Sequence, residues 1–141
     1  MPTLFVERSV EIDAPASTVW RVFTDPVLTR EIGGEYVSAW NIGGSFGWKS
    51  LDGKMLTSGT ILRIESQKLL QHNLFAPTTT GGERPLVVSV ITYELRGHAG
   101  RTTLVGREEF NAPLSVEQHR DATEGWDAAL LAVKEVAEKC R

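Results

Sequence analysis

The chain has 141 residues, with 15 lysines and arginines against 18 aspartates and glutamates and a formal net charge of −3. That is the size of one domain, long enough to bury roughly two-thirds of its unfolded surface without a covalent or metal staple. The charges are interspersed without a basic run, which excludes the electrostatic footprint of a nucleic-acid binder, and no window approaches the ~20 apolar residues of a membrane span.

Residues 4–12 alternate, with Val6, Arg8, Val10 and Ile12 on one side and Phe5, Glu7, Ser9 and Glu11 on the other, which predicts a strand. Asp13-Ala14-Pro15 opens a helix carrying Val19, Trp20, Val22 and Phe23 at helical spacing. Asp25-Pro26 breaks it, because the residue before proline avoids the α region. A second short helix follows over 26–31 and ends at Gly33-Gly34. Strands are then expected over 36–41, 45–49, 60–66, 68–75, 86–95 and 102–110. Turns fall at Ile42-Gly43-Gly44, Asp52-Gly53-Lys54 and Gly97-His98-Ala99-Gly100, and a polar loop at 76–84.

The last segment is the clearest helix. Ser115 is its N-cap and Gln118 completes a capping box. Val116, His119, Thr123, Trp126, Leu130, Val133 and Ala137 form one stripe at spacings of three and four. A helix of this length with one stripe must lie across something wide, and the sheet is the partner available. The expected fold is α+β: a curved, mainly antiparallel seven-stranded sheet gripping a long C-terminal helix, with two short helices after the first strand, all in a single domain spanning 1–141.

A curled sheet around a straight helix leaves a gap, filled by large side chains or by a ligand. Gly44, Gly47, Gly59 and Gly106 lie in or beside strands, where glycine marks bends. Alternation turns Phe46 and Trp48 inward, and likewise Leu62 with Ile64, and Leu70 with His72 and Leu74. In the two long strands it aligns Ser89, Ile91 and Tyr93, and Leu104, Gly106 and Glu108. An inward carboxylate must be paired, neutralised or wet, so an inward Glu108 favours a cavity. A one-residue register shift would instead place Glu108 in solvent and Glu109 inside. The candidate lining set is Phe46, Trp48, Leu62, His72, Ser89, Tyr93 and Glu108 from the sheet, with His119, Thr123 and Trp126 from the helix. Gly125, beside Trp126, is read as a point where the helix backbone approaches the sheet closely.

Other chemistry finds little support. Cys140 is the sole cysteine and cannot form an internal disulfide. With no signal-peptide pattern in residues 1–8, a cytoplasmic location is expected. His72, His98 and His119 lack metal-ligand spacing, and there is no Gly-x-Ser-x-Gly and no phosphate loop. No metal or cofactor is expected, and no sequence signal fixes an oligomeric state. Acid/base catalysis would need Glu108, His72 and Tyr93 to converge, with His119 as a possible fourth member.

In order along the chain, 12–20, Phe23-Thr24-Asp25-Pro26, Gly43-Gly44-Ser45-Phe46, 59–62 with Lys68-Leu69-Leu70, 90–95 with Thr103-Leu104, and 125–130 with Lys134 match one pattern. It resembles the START/Bet v 1-like (SRPBCC) helix-grip superfamily, and within it the bacterial proteins related to the activator of Hsp90 ATPase homologue 1. The resemblance spans nearly the whole chain and implies the same fold. It departs after the second helix, where relatives often carry a tryptophan and this chain has Thr29-Arg30-Glu31-Ile32; the resemblance thus implies a different pocket rim. Since this scaffold hosts several activities, three functions stand. The first is binding of a small apolar or amphipathic ligand, in a cavity of a few hundred Å³ beside the N-terminal half of the long helix. The second, implied by the resemblance, is a chaperone-interacting (Hsp90) or stress-response domain with a protein partner. The third is a small cyclase, lyase or hydrolase. The residues favour binding over catalysis.

Overall fold

Alternating apolar residues from first strand to last build one seven-stranded antiparallel sheet in the computed structural model, which describes residues 3–75 and 87–140. The strands are β1 (Thr3–Ile12), β2 (Gly34–Ser38), β3 (Ser45–Ser50), β4 (Met55–Glu65), β5 (Leu69–Phe75), β6 (Val87–His98) and β7 (Arg101–Leu114). Helices α1 (Ala16–Thr24) and α2 (Pro26–Thr29) follow β1, then a 3-10 turn (Arg30–Ile32), and α3 (Val116–Lys139) closes the chain. The strand order is β1-β7-β6-β5-β4-β3-β2, so β1 and β2 are the edges. The helix-grip α+β fold is as the sequence pattern predicts. The polar loop expected over 76–84 lies outside the described residues. No helix among the described residues is long and apolar enough to cross a membrane.

Local chemistry sets the joints. The Asp25 carboxylate caps α2 by accepting from the Val27 N–H, with Pro26 at the first helical position. Thr29, fully buried, donates its hydroxyl to the carbonyl oxygens of Val22 (2.6 Å) and Asp25 (2.9 Å), fastening α1 to α2. The β6–β7 hairpin is tighter than expected. His98 still pairs with Arg101, and the turn is Ala99-Gly100 alone, with φ of 52° and 81°. Positive φ at both central residues suits the twist of the flanking strands. The strand expected over 36–41 stops at Ser38. There the Ser38 hydroxyl accepts from the Trp40 N–H and donates to the Ser45 carbonyl, and Trp40 turns to φ 55°.

Helix α3 begins with the expected capping box: the Ser115 hydroxyl accepts from the Gln118 N–H, and the Gln118 side chain accepts from the Ser115 N–H. It packs on β1, β7 and α1. Trp126, Leu130, Val133, Val136 and Ala137 are buried, whereas Val116, at 86% exposure, projects beyond the sheet. The Arg8 guanidinium donates two hydrogen bonds to Asp127 (2.7 and 3.1 Å), and Lys134 donates to the Glu11 carbonyl (2.8 Å), tying α3 to β1.

Gly125 does not mark the close approach expected of it. It is exposed, and a Cβ there would meet nothing within 4 Å. The close approach is on the sheet side, at Gly106, where a Cβ would lie 2.3 Å from Cζ3 of Trp126. The indole occupies the space that the glycine leaves.

Candidate ligand cavity

Cross-strand register brings the inward residues together. One row reads Val6, Glu108, Ile91, His72, Ile61 across β1, β7, β6, β5 and β4. The next contains Gly106, Tyr93, Leu70 and Ile64. Leu62 is absent from this face, against expectation. The pairing passes from Ile61↔His72 to Arg63↔Gln71, so β4 carries one extra residue there. That bulge interrupts the alternation, turns Ile61 and Ile64 inward, and leaves Leu62 36% exposed.

A cavity of about 290 Å³ lies between this face, α1 and α3. Phe46, Trp48, His72 and Tyr93 line it, joined by Phe23 and Tyr36. From α3 the lining comes from Ala129, Leu130, Ala132 and Val133, in the C-terminal half of the helix rather than the N-terminal half. Ser89, Glu108, His119, Thr123 and Trp126 are outside the lining. The reason is Trp126: buried above Gly106 and 5.5 Å from the Tyr93 ring, it fills the space beside the first half of α3. His119 and Thr123 are half-buried on that half, where the Thr123 hydroxyl donates to the His119 carbonyl.

Five of the lining rings contact one another in a closed circuit. Centroid separations are 6.0 Å from Phe23 to Tyr36, 5.0 Å to Phe46, 3.8 Å to His72, 6.4 Å to Tyr93 and 4.9 Å back to Phe23. Offset and tilted rings at such distances attract beyond simple burial. Trp48 meets Tyr36 edge-on at 4.9 Å.

Burial sets the electrostatics of the wall. Burial pushes the Tyr36 hydroxyl up to about 12, offset in part by its hydrogen bond with Tyr93. Tyr93 is raised further, by burial and then by Tyr36 and the nearby Glu108. Burial lowers His72 to about 4, against a smaller opposing effect of its hydrogen bond to the Asn73 carbonyl. Both phenols and the imidazole are therefore neutral near pH 7.

Glu108 faces inward, but each oxygen is engaged: Oε1 accepts from the Trp126 indole N–H (3.0 Å) and Oε2 from the Ser89 hydroxyl (2.7 Å). His72 and Tyr93 share the cavity wall, while Glu108 is directed to Trp126 and Ser89, away from that lining. No group of three metal-ligating side chains occurs among the described residues. A wider open groove of about 640 Å³ beside the β4–β5 turn is lined by Arg63, Glu65, Lys68 and Glu94, mixed charges facing water rather than convergent ligand contacts.

Sequence reasoning missed Tyr36 and Phe23. The signal for Tyr36 was the hairpin across Gly43-Gly44, whose register pairs Tyr36 with Trp48 and Ser38 with Phe46. For Phe23 it was the shared face with Trp20 on α1, both buried. Ile32, in the 3-10 turn after α2, also lines the cavity.

The curved antiparallel sheet and the long C-terminal helix define a helix-grip α+β protein. The chain belongs to the family described as activator of Hsp90 ATPase homolog 1-like protein, whose model matches residues 13–138. Among solved structures it is similar to protein MLL2253 from Mesorhizobium loti, with 20% identity, a TM-score of 0.78, and coverage of 97% of this chain and 98% of that one. It is also similar to ChR145 from Cytophaga hutchinsonii, at 24% identity and TM-score 0.77, covering 99% and 97%. DynU16, a putative protein in the dynemicin biosynthetic locus, matches at 19% identity and TM-score 0.79, over 99% of this chain and 49% of that chain. These likenesses establish the fold. No curated protein matches the sequence.

Proposed function

We propose that this protein binds a small apolar or amphipathic molecule in the cavity between the sheet and α3. The observation that carries the reading is the apolar cavity of about 290 Å³ walled by a circuit of aromatic rings. An apolar void as small as ~150 Å³ stays dry and takes up benzene, so twice that volume suits one or two rings. It is at the lower end of ligand-pocket sizes, roughly 300–1,000 Å³, and too small for a long acyl chain.

The test is native mass spectrometry of the purified protein, with a thermal-shift panel of one-ring, two-ring and long-chain acyl compounds. At a ligand concentration ~100 times Kd, binding stabilises by about 2.7 kcal/mol, several degrees in melting temperature. One- and two-ring compounds are expected to raise the melting temperature and acyl chains to leave it unchanged. No co-purified molecule and no shift with any compound would overturn the reading in favour of a protein-partner role.

A further inference from the structure

One polar atom on the cavity wall has its role set by the backbone. His72 Nδ1 lies 2.9 Å from the Asn73 carbonyl oxygen. A carbonyl oxygen only accepts, so Nδ1 carries the proton and donates it. In the neutral ring Nε2 then holds a lone pair. The ring is stacked on Phe46 at 3.8 Å and only 2% exposed, an environment that disfavours the charged imidazolium. No described residue hydrogen-bonds to Nε2, yet no fully buried side-chain nitrogen or oxygen among the described residues lacks a partner. Nε2 therefore keeps accessible surface, and the cavity is what His72 lines.

The rest of the wall limits what can meet this atom. No described side chain lining the cavity is charged near pH 7. An ionised ligand would be desolvated without a counter-charge, at high cost. A carboxylate or ether oxygen would also face a lone pair with a lone pair. The surrounding rings of Phe23, Tyr36, Phe46 and Tyr93 favour a flat partner.

Resting on the ligand-binding reading above, we infer that the cavity selects a neutral, flat molecule of one or two rings bearing a hydroxyl or ring N–H, which it donates to His72 Nε2. The hydrogen bond discriminates among aromatic molecules of equal size, and His72 is the residue that sets the preference.

The probes are 2-naphthol and 2-methylnaphthalene, equal in heavy-atom count and differing in the donor. Affinities are measured by calorimetry for the wild type and for His72→Phe, which keeps a ring against Phe46. The ratio of naphthol to methylnaphthalene affinity is expected to fall about tenfold in His72→Phe, the effect of one net hydrogen bond. A second readout needs no variant: the His72 Nε2 resonance in ¹⁵N spectra of the wild type moves toward its protonated position with 2-naphthol and not with 2-methylnaphthalene. If both probes bind, the resonance stays in place and the ratio is unchanged by the substitution, the inference fails while the apolar-cavity reading stands. If neither probe binds the wild type, both fail.

Discussion

Acid should destabilise the folded chain through His72 by an amount the structure sets. The imidazole is 2% exposed, stacked on Phe46, and lowered by burial from 6.5 to about 4. In the unfolded chain it titrates near its ordinary value. Above pH 6.5 both states hold a neutral ring, and the group leaves stability independent of pH. As pH falls below 6.5 the unfolded chain takes up a proton that the folded one refuses, so stability drops until pH reaches about 4 and both states are charged. The slope is about 1.4 kcal/mol per pH unit and the total roughly 3 kcal/mol, a large share of a small domain's stability. The measurement is urea denaturation of wild type and His72→Phe at intervals from pH 7 to pH 4. Carboxylates, His98 and His119 are common to both proteins, so the difference between the two curves isolates His72. Wild type should lose roughly 3 kcal/mol more than the variant across that window. Parallel curves would refute the buried neutral histidine, and with it the lone pair assigned to Nε2.

Other substitutions test the packing. Gly106→Ala puts a methyl 2.3 Å from the Trp126 ring, which its bond to Glu108 holds in place; a loss of about 1–3 kcal/mol in chemical denaturation is expected. Gly125→Ala adds a methyl to open space within a helix and should stabilise by about 1 kcal/mol in the same assay. Glu108→Gln keeps an acceptor for the indole N–H, so ligand binding should persist in the thermal-shift assay, whereas Glu108→Leu orphans Trp126 and Ser89 and should cost about 1–3 kcal/mol. Ala132→Leu extends a side chain from α3 into the cavity and should abolish ligand-induced thermal shifts while the far-UV circular dichroism stays that of the wild type.

The elements were legible because their signals are local. Proline breaks, the Ser115–Gln118 box and period-two alternation each need only a few neighbouring residues. Alternation grouped the facing residues of β5, β6 and β7 but left open whether Glu108 or Glu109 turns inward, a choice made in three dimensions by the contacts of Glu108 with Trp126 and Ser89. Leu62 failed because the bulge in β4 depends on how that strand meets β5, and one extra residue reverses alternation locally. Gly125 failed for a related reason. A helical glycine and a glycine on the facing strand offer the same sequence signature for close approach, and the choice between them is made in three dimensions, where Trp126 leans over Gly106. Tyr36 was hidden because its strand is an edge whose inward face depends on pairing with Trp48.

The position of the cavity follows from the same contact. A straight helix across a curled sheet leaves space along its length, and the side chains facing that space decide where it stays open. Over the first half of α3 the space is taken by an indole, seated where Gly106 has no side chain and fixed by the Glu108 carboxylate, itself held by Ser89. One turn further on, α3 presents Ala129 and Ala132 beside Leu130 and Val133. These two small side chains line the cavity together with the rings of Phe46, Tyr36 and Tyr93. The inward carboxylate that first suggested a pocket therefore acts through Trp126: it anchors the ring that closes one end of the gap, and the cavity occupies the end where alanines stand in place of a large residue.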